Sequence, residues 1–235
     1  MLLKKQGVEI VGVVGRGKML GTSMYDHIST PRGDREDVIV GAMEDVITEK
    51  AADVVLLCTD SFTRKAFDKI KFIVEKKINV ISSAEEMAYP MAQEPELAKE
   101  IDRLAKENGV SVLGTGINPG LIMDLLVILM TGCCEEVHSI LSRRVNSLSP
   151  FGPAVMEEQG IGITVEEFNK GVQEGTLAGH VGFHESIGMI ADAIGENKKS
   201  PLPIYLRVGF KPISHTEEEI NKAMENHQFW DPKIP

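Results

Sequence analysis

The segment Val110-Ser-Val-Leu-Gly-Thr-Gly-Ile-Asn-Pro-Gly120 joins a short apolar stretch to a strongly apolar one that starts at Leu121. Its pattern predicts a strand at Val110–Leu113 and a helix at Leu121–Met130. Three glycines let the backbone approach another group closely, the Asn amide both donates and accepts, and proline fixes the entry to the next helix. Loops of this kind lie at the carboxyl edge of parallel sheets, where α/β proteins bind ligands. We therefore predict a ligand loop at Gly114–Gly120.

Strands and helices alternate along the chain before this loop. Repeated β-α-β units with short connections imply a parallel sheet with right-handed crossovers. We therefore predict a doubly wound parallel sheet over residues 1–134. The predicted elements are buried strands at Val8–Val14 and Asp53–Cys58, a further strand at Ile78–Ile81, and helices at Met43–Lys50, Thr63–Lys77 and from Pro95 to Asn108.

The pattern changes after Cys134. Pro150 and Pro153 interrupt the chain, and Thr164-Val-Glu-Glu167 has the form of a capping box that starts a helix. A further helix is predicted from Phe183 to Ile194, ending at Gly195. We predict a second domain over residues 135–235, and its tail from residue 196 has the pattern of a strand near 204–210 and a helix near 216–225.

Composition restricts the classes of partner. The chain has 235 residues, is 43% hydrophobic and carries a net charge of -10, which disfavours a nucleic-acid or anionic-membrane surface. The longest apolar stretch is too short to span a bilayer, and no secretory signal pattern is present. Cys58, Cys133 and Cys134 fit free thiols in a reducing compartment. We expect a cytoplasmic protein that acts on a small molecule.

The first glycine-rich segment, Gly15-Arg-Gly-Lys-Met-Leu-Gly21, is a poor dinucleotide fingerprint. Its spacing is G-x-G-x-x-x-G, and Thr22 to Gly33 shows no helix to receive a pyrophosphate. One interpretation places Arg16 and Lys18 at the end of the second strand of a dinucleotide-binding fold, where the protein binds the adenosine ribose and any 2′-phosphate. The other is an exposed turn with solvated charges.

The ends of the next two strands carry small polar and acidic residues. The small side chains of Cys58 and Thr59 could line the cofactor face. Helix capping is the alternative for this segment, and it suffices to explain Ser61 or Thr63 before the following helix. After the third strand, Ser83 is followed by Glu85 and Glu86. Either acid is a candidate to hold a substrate ammonium or to act as a base. Acids in a first helical turn also complement the helix dipole.

Two histidines in the second region lie four residues apart. His180 and His184 flank Gly182, lack an H-E-x-x-H spacing and have no evident third ligand, so we predict no metal site. A His180 that faces the substrate is the preferred interpretation.

Three segments together resemble the 2,4-diaminopentanoate dehydrogenase family, which is related to dihydrodipicolinate reductase. They are Gly114-Thr-Gly-Ile-Asn-Pro-Gly-Leu-Ile-Met-Asp124, Ile81-Ser-Ser-Ala-Glu-Glu86 and Gly179-His-Val-Gly-Phe-His-Glu-Ser-Ile-Gly-Met-Ile-Ala-Asp192. The resemblance extends over residues 1 to 195. It implies that residues 1–134 form a Rossmann-type, dinucleotide-binding domain. Residues 135–235 are then an incomplete α+β substrate and dimerisation domain, whose tail from residue 196 is atypical of the family. A homodimer and NAD or NADP as cofactor are also implied. The implied reaction is oxidative deamination of the diamino acid 2,4-diaminopentanoate at C4, giving 2-amino-4-oxopentanoate and ammonia in ornithine fermentation.

The resemblance implies roles for the strand-end residues in a hydride-transfer site. Glu85 or His180 handles the substrate ammonium or its proton as the catalytic group. The residues expected to contact the cofactor are Arg16 at the adenosine, Cys58, Thr59 and Ser83 beside the nicotinamide, and Gly116, Asn118, Pro119 and Gly120 along the wall of the site.

The chain also departs from the family pattern. Members start with a strand and a G-x-G-x-x-G loop before a helix whose end resembles Met1-Leu-Leu-Lys-Lys-Gln-Gly7. We therefore expect an amino-terminally truncated sheet without its phosphate loop. Two alternatives follow: a related dehydrogenase or reductase of another amino or keto acid, and a non-catalytic fragment that binds partners or nothing.

Overall fold

The computed structural model describes residues 2–144, 160, 162–174, 177 and 181–195. The chain divides into two compact units, Met1–Gly120 and Leu121–Pro235. We predicted a domain boundary after residue 134, which is farther along the chain than this division after Gly120. The predicted boundary stays a prediction. The predicted strand near 204–210 and helix near 216–225 lie outside the described residues.

Parallel strands form the framework of the first unit, as predicted. Strands β1 (Val13–Val14) and β2 (Val40–Gly41) pair with each other, and β3 (Val54–Leu57), β4 (Asn79–Ser82) and β5 (Val112–Gly114) form a second sheet in that order. The connections carry α1 (Met43–Val46), α2 (Thr63–Glu75) and α3 (Pro95–Asn108). Short 3-10 helices are Leu2–Lys4, Gly17–Met19, Met24–His27, Glu85–Ala88 and Pro90–Ala92. The predicted parallel α/β fold is confirmed.

Helices α2 and α3 pack on one face of the β3-β4-β5 sheet. Alternate side chains of the strands, Leu57 and Val80 among them, point into a single apolar cluster with both helices. Burial of this cluster removes apolar surface from water and supplies most of the stability of the unit. The cluster also contains Ile47, Ala66, Ile70, Ile73, Val74, Ile78, Ala84, Met87, Ile101 and Leu104.

The opposite face of this sheet is exposed. Val54, Leu56 and Leu113 are 41%, 44% and 54% accessible to solvent. The prediction of a fully buried strand at Asp53–Cys58 is therefore wrong, because in the described residues α2 and α3 lie on the same side of the sheet. A strand that is apolar on both faces gives no alternation in sequence from which its exposed side could be recognised.

Helix α3 has the ends that the sequence predicted. Pro95 occupies the first turn, where the missing N–H has no intrahelical partner in any case. Gly109 follows the last residue with φ +67°, and its N–H donates to the carbonyls of Ala105 and Lys106. Local signals therefore fixed both ends of this helix.

Three elements are clearly shorter than predicted. Helix α1, predicted to reach Lys50, ends at Val46, with Ile47 as its C-cap. The first strand contains only Val13–Val14, and Val8 and Val11 are exposed. Helix α4 (Leu125–Thr131) starts four residues later than predicted, because residues 121–124 form turns and Asp124 caps the helix, its Oδ1 accepting from the Leu125 N–H at 2.6 Å.

The second unit contains α4, α5 (Val165–Glu174) and α6 (Phe183–Ala193). The predicted capping box is confirmed at α5: the Glu167 carboxylate accepts from the Thr164 N–H at 2.9 Å, and the Thr164 hydroxyl accepts from the Glu167 N–H at 3.2 Å. Buried Ser186 on α6 donates to the Asp124 carboxylate at 2.8 Å. None of the helices in the described ranges has the length and apolar character to cross a bilayer.

We predict that Ile73→Ala destabilises the chain by about 2–5 kcal/mol, because Ile73, on α2, is fully buried in the apolar cluster. Leu56→Ala removes as many side-chain carbons from the exposed face and should cost about 1 kcal/mol. Urea unfolding followed by circular dichroism measures both. Equal losses for the two variants would contradict the placement of the core on one side of the sheet.

Candidate functional site

The loops after β3, β4 and β5 leave the sheet side by side. Leu57 pairs with Ser82, and Ser82 pairs with Gly114, in a single parallel register. The next residues continue the ladder, because the Ser83 N–H donates to the Leu57 carbonyl and the Thr115 N–H to the Ser82 carbonyl, both at 3.0 Å. The candidate residues Cys58, Ser83 and the glycine loop therefore share one carboxyl edge.

Thr59 belongs to a polar cluster with Asp60 and Lys69. The Thr59 hydroxyl donates to the Asp60 carboxylate at 2.6 Å, and the Lys69 ammonium reaches the same oxygen at 2.5 Å and the Thr59 hydroxyl at 3.0 Å. Partial burial acts to raise the pKa of Asp60, but the hydrogen bonds from Lys69 and Thr59 outweigh it and hold this pKa below its ordinary value. The cluster fixes Thr59 beside the exposed Cys58 thiol.

The turn after β4 gives different surroundings to Glu85 and Glu86, the two adjacent acids that the sequence left as alternatives. Ser83 is exposed, and Glu85 is half-buried at the start of the Glu85–Ala88 helix. Glu86 is only 8% exposed, and its carboxylate accepts from the Thr63 N–H at 2.8 Å. Glu85 is therefore the more accessible of the two acids.

The glycines of the Gly114–Gly120 loop are required by packing within the unit. A Cβ on Gly114 would overlap the backbone carbonyl of Met87, and a Cβ on Gly116 would lie 2.7 Å from the Pro119 carbonyl oxygen. Gly120 has φ +120°, and a Cβ there would overlap the backbone of Gly116. The close approach predicted from the sequence is thus present, and the groups approached are Met87 and the loop itself.

The remaining loop residues are partly accessible. Asn118 and Gly120 are half-buried, Pro119 is buried, and the Asn118–Pro119 peptide bond is cis. Ile117 is exposed at the tip. Asn118 thus lies at the edge of the sheet, between exposed Ile117 and buried Pro119.

Arg16 lies at the end of a different strand. It is exposed after β1 and precedes the short 3-10 helix Gly17–Met19. Between Thr22 and Gly33 the helical segment is the 3-10 turn Met24–His27, so the Gly15–Gly21 loop does not start an α-helix whose amino terminus could receive a diphosphate. The sequence interpretation that this is not a dinucleotide fingerprint agrees with the structure.

His180 lies outside the described residues. His184 is exposed on α6, next to the buried Glu185. The roles assigned to Glu85, His180 and the cofactor-contacting residues stay predictions.

Sequence reasoning missed the contacts that hold these loops. Asp60 and Lys69 are nine residues apart, and Glu86 and Thr63 are 23 apart. The expected local cap at Ser61 or Thr63 is also wrong: Phe62 is the N-cap of α2 and makes no side-chain capping bond. No motif signals such pairs, because they form only when the loops, the strands and α2 are folded together.

Comparison with known proteins supports the resemblance. Residues 121–200 match the family model of the 2,4-diaminopentanoate dehydrogenase C-terminal domain. Over 202 residues, 86% of this chain, the sequence is 97% identical to the curated 2,4-diaminopentanoate dehydrogenase of Acetoanaerobium sticklandii, and the chain spans 57% of that relative's length. The solved amine dehydrogenase from Mycobacterium smegmatis is 25% identical with a TM-score of 0.65, covering 80% of this chain and 55% of that one. The resemblance predicted from three segments and the Rossmann-like fold are confirmed.

We predict that Gly114→Ala destabilises the first unit by about 1–3 kcal/mol or more, because the added methyl group has to displace the Met87 backbone. Gly132→Ala is the matched control, since Gly132 has right-handed helical angles and its Cβ would lie 3.3 Å from the Leu129 carbonyl oxygen. Thermal unfolding of both variants measures the difference. An unchanged melting temperature for Gly114→Ala would contradict the close approach.

The lowered pKa of Asp60 predicts a pH-dependent contribution to stability. The carboxylate stabilises the folded state well above its ordinary pKa of 3.8, and this stabilisation disappears as the pH falls through the lower pKa of the folded state. Asp60→Asn should therefore cost no more than about 1 kcal/mol at neutral pH and nothing in strong acid. Urea titrations over this pH range measure the difference, which should be mostly absent in a Lys69→Met background. A loss that does not depend on pH would contradict the role of the ion pair.

Proposed function

We propose that this chain functions as an NAD- or NADP-dependent dehydrogenase that oxidatively deaminates 2,4-diaminopentanoate. The products are 2-amino-4-oxopentanoate and ammonia. The observation that carries the proposal is the 97% identity over 202 residues to a 2,4-diaminopentanoate dehydrogenase. The arrangement of the loops at the β3-β4-β5 edge supports it, because ligands of open α/β sheets bind at such carboxyl edges.

The edge fits the nicotinamide end of the cofactor. Exposed Cys58, Thr59 and Ser83 are small and polar, and they follow strand ends that pair in register, so their polar groups are accessible to the amide of a nicotinamide ring. Gly116, Asn118, Pro119 and Gly120 form the wall of this proposed site. When bound, the nicotinamide supplies the hydride acceptor.

Arg16 is the proposed contact to the adenosine part. It is exposed, with the exposed Lys18 close by in sequence, and basic residues at this position suit the 2′-phosphate of NADP. Both cofactors therefore belong to the proposal, and the relative affinity for NAD and NADP measures the contribution of these cations.

The Glu85 carboxylate is the proposed group that receives the substrate amine. A negatively charged, half-buried acid next to Ser83 attracts an ammonium and accepts its proton, which leaves the neutral amine whose C4–H bond can release a hydride. Water then adds to the C4 iminium that results, and ammonia leaves. His180 is the alternative group for this proton.

The wider context is also proposed. A homodimer in the cytoplasm, acting in ornithine degradation, agrees with the resemblance, and the absence of a nucleic-acid or membrane partner agrees with the acidic composition. The likeness to an amine dehydrogenase favours oxidation of an amine, so a related amine is the second candidate substrate.

We predict that the chain reduces NAD or NADP when 2,4-diaminopentanoate is added, with the A. sticklandii enzyme as positive control.

Glu85→Gln should lower kcat about 10²–10⁴-fold, because the amide cannot accept the proton. Asn118→Ala should lower turnover while the chain stays folded. Glu75→Gln, an exposed substitution at the end of α2, should leave turnover unchanged. Absorbance of the reduced nicotinamide measures all four.

The same assay separates the alternatives. Reduction with another amine but not with 2,4-diaminopentanoate would favour a related dehydrogenase. No reduction, together with no shift of the melting temperature by NAD or NADP, would favour a non-catalytic fragment.

A further inference from the structure

Glu86 connects the loops that follow β3 and β4. Its carboxylate accepts from the Thr63 N–H at 2.8 Å, and its own N–H donates to the Ser61 carbonyl at 3.1 Å. The two hydrogen bonds run in opposite directions between the Glu85–Ala88 turn and the start of α2, one to its first residue, Thr63, and one to Ser61, which precedes the N-cap. The turn is therefore held at two points.

The first of these bonds supplies a cap that α2 lacks locally. The N-cap residue Phe62 has no side chain able to accept from the first N–H groups, and the helix is 13 residues long. A carboxylate at a helix amino terminus satisfies an N–H and interacts favourably with the helix dipole. Because Glu86 is 8% exposed, little water competes for this bond.

Strand β5 closes the turn from another side. The Met87 backbone lies so close to Gly114 that a Cβ there would overlap it. The Glu85–Ala88 turn therefore lies between the start of α2 and the end of β5, and it has little freedom toward either. Glu85, the first residue of this turn, and Ser83, two residues before it, are held by the same contacts.

We infer that Glu86 is a positioning residue: its buried carboxylate sets the placement of Glu85 and Ser83 at the edge of the sheet and takes no proton in the reaction. This inference rests on the proposed function, because a ligand at the edge is what gives the placement of Glu85 a chemical consequence. Glu85 and Glu86 are adjacent acids with different tasks, one facing the ligand and one holding the turn.

Two substitutions distinguish placement from charge. Glu86→Gln keeps the length of the side chain and an oxygen that accepts from the Thr63 N–H, but removes the charge. Glu86→Asp keeps the charge but is one methylene shorter and withdraws the acceptor from that N–H. A positioning role predicts that Gln is tolerated and Asp is not, whereas a chemical role predicts the reverse.

The first measurement is amide hydrogen exchange of Thr63 in the full chain, which needs no activity. Glu86→Asp should accelerate exchange about fivefold or more, whereas Glu86→Gln and Glu85→Gln should leave it near the value of the unsubstituted chain. Unchanged exchange in Glu86→Asp would overturn the inference, because the Thr63 N–H would then not depend on the reach of this side chain.

The second measurement is turnover of 2,4-diaminopentanoate across pH. Glu86→Asp should lower kcat about tenfold to a hundredfold with a smaller change in KM for the cofactor, and Glu86→Gln should retain both kcat and the pH profile. An active Glu86→Asp with an inactive Glu86→Gln would overturn the inference and assign Glu86 to the chemistry. If the unsubstituted chain shows no turnover, the proposed function fails for this chain, and the exchange of Thr63 still decides whether Glu86 holds the turn.

Discussion

The single register that pairs Leu57, Ser82 and Gly114 determines where the loops after β3, β4 and β5 begin. Parallel strands in register end at one edge, so residues far apart in sequence become neighbours there. The helices that follow then need support at their amino termini, and the edge supplies it through the carboxylate of Glu86. The Asp60 and Lys69 pair adds a second link between the β3 loop and the body of α2.

The glycine loop shows how a structural requirement and a proposed ligand site coincide. Gly114 is needed because the Met87 backbone lies against it, and Gly116 and Gly120 are needed because the loop folds back on itself. These contacts give the loop a defined shape without any ligand. The Asn118 amide is thereby held on a rigid support at the sheet edge, which is the condition for precise recognition.

The parts of the fold that the sequence predicted well are those governed by local chemistry. Pro95 and Gly109 mark the two ends of α3, and Thr164 and Glu167 form the expected reciprocal cap. The sequence did not predict that one face of the sheet is exposed. Val54 and Leu56, which are exposed, are as apolar as Leu57, which is buried between the sheet and its helices. The strand ends that carry the candidate residues could be predicted from sequence. The different surroundings of Glu85 and Glu86 could not, since they depend on a contact across 23 residues.

The distance in sequence between Glu86 and the helix that it caps has a consequence for the order of folding. An isolated α2 begins without a side-chain cap, and short helices nucleate poorly on their own. The capping carboxylate arrives only after the chain has closed the loop through β4, which costs conformational entropy before any bond forms. The first turn of α2 and the β3-β4 ladder are thus expected to form together, so that secondary and tertiary structure in this unit arise in one cooperative step.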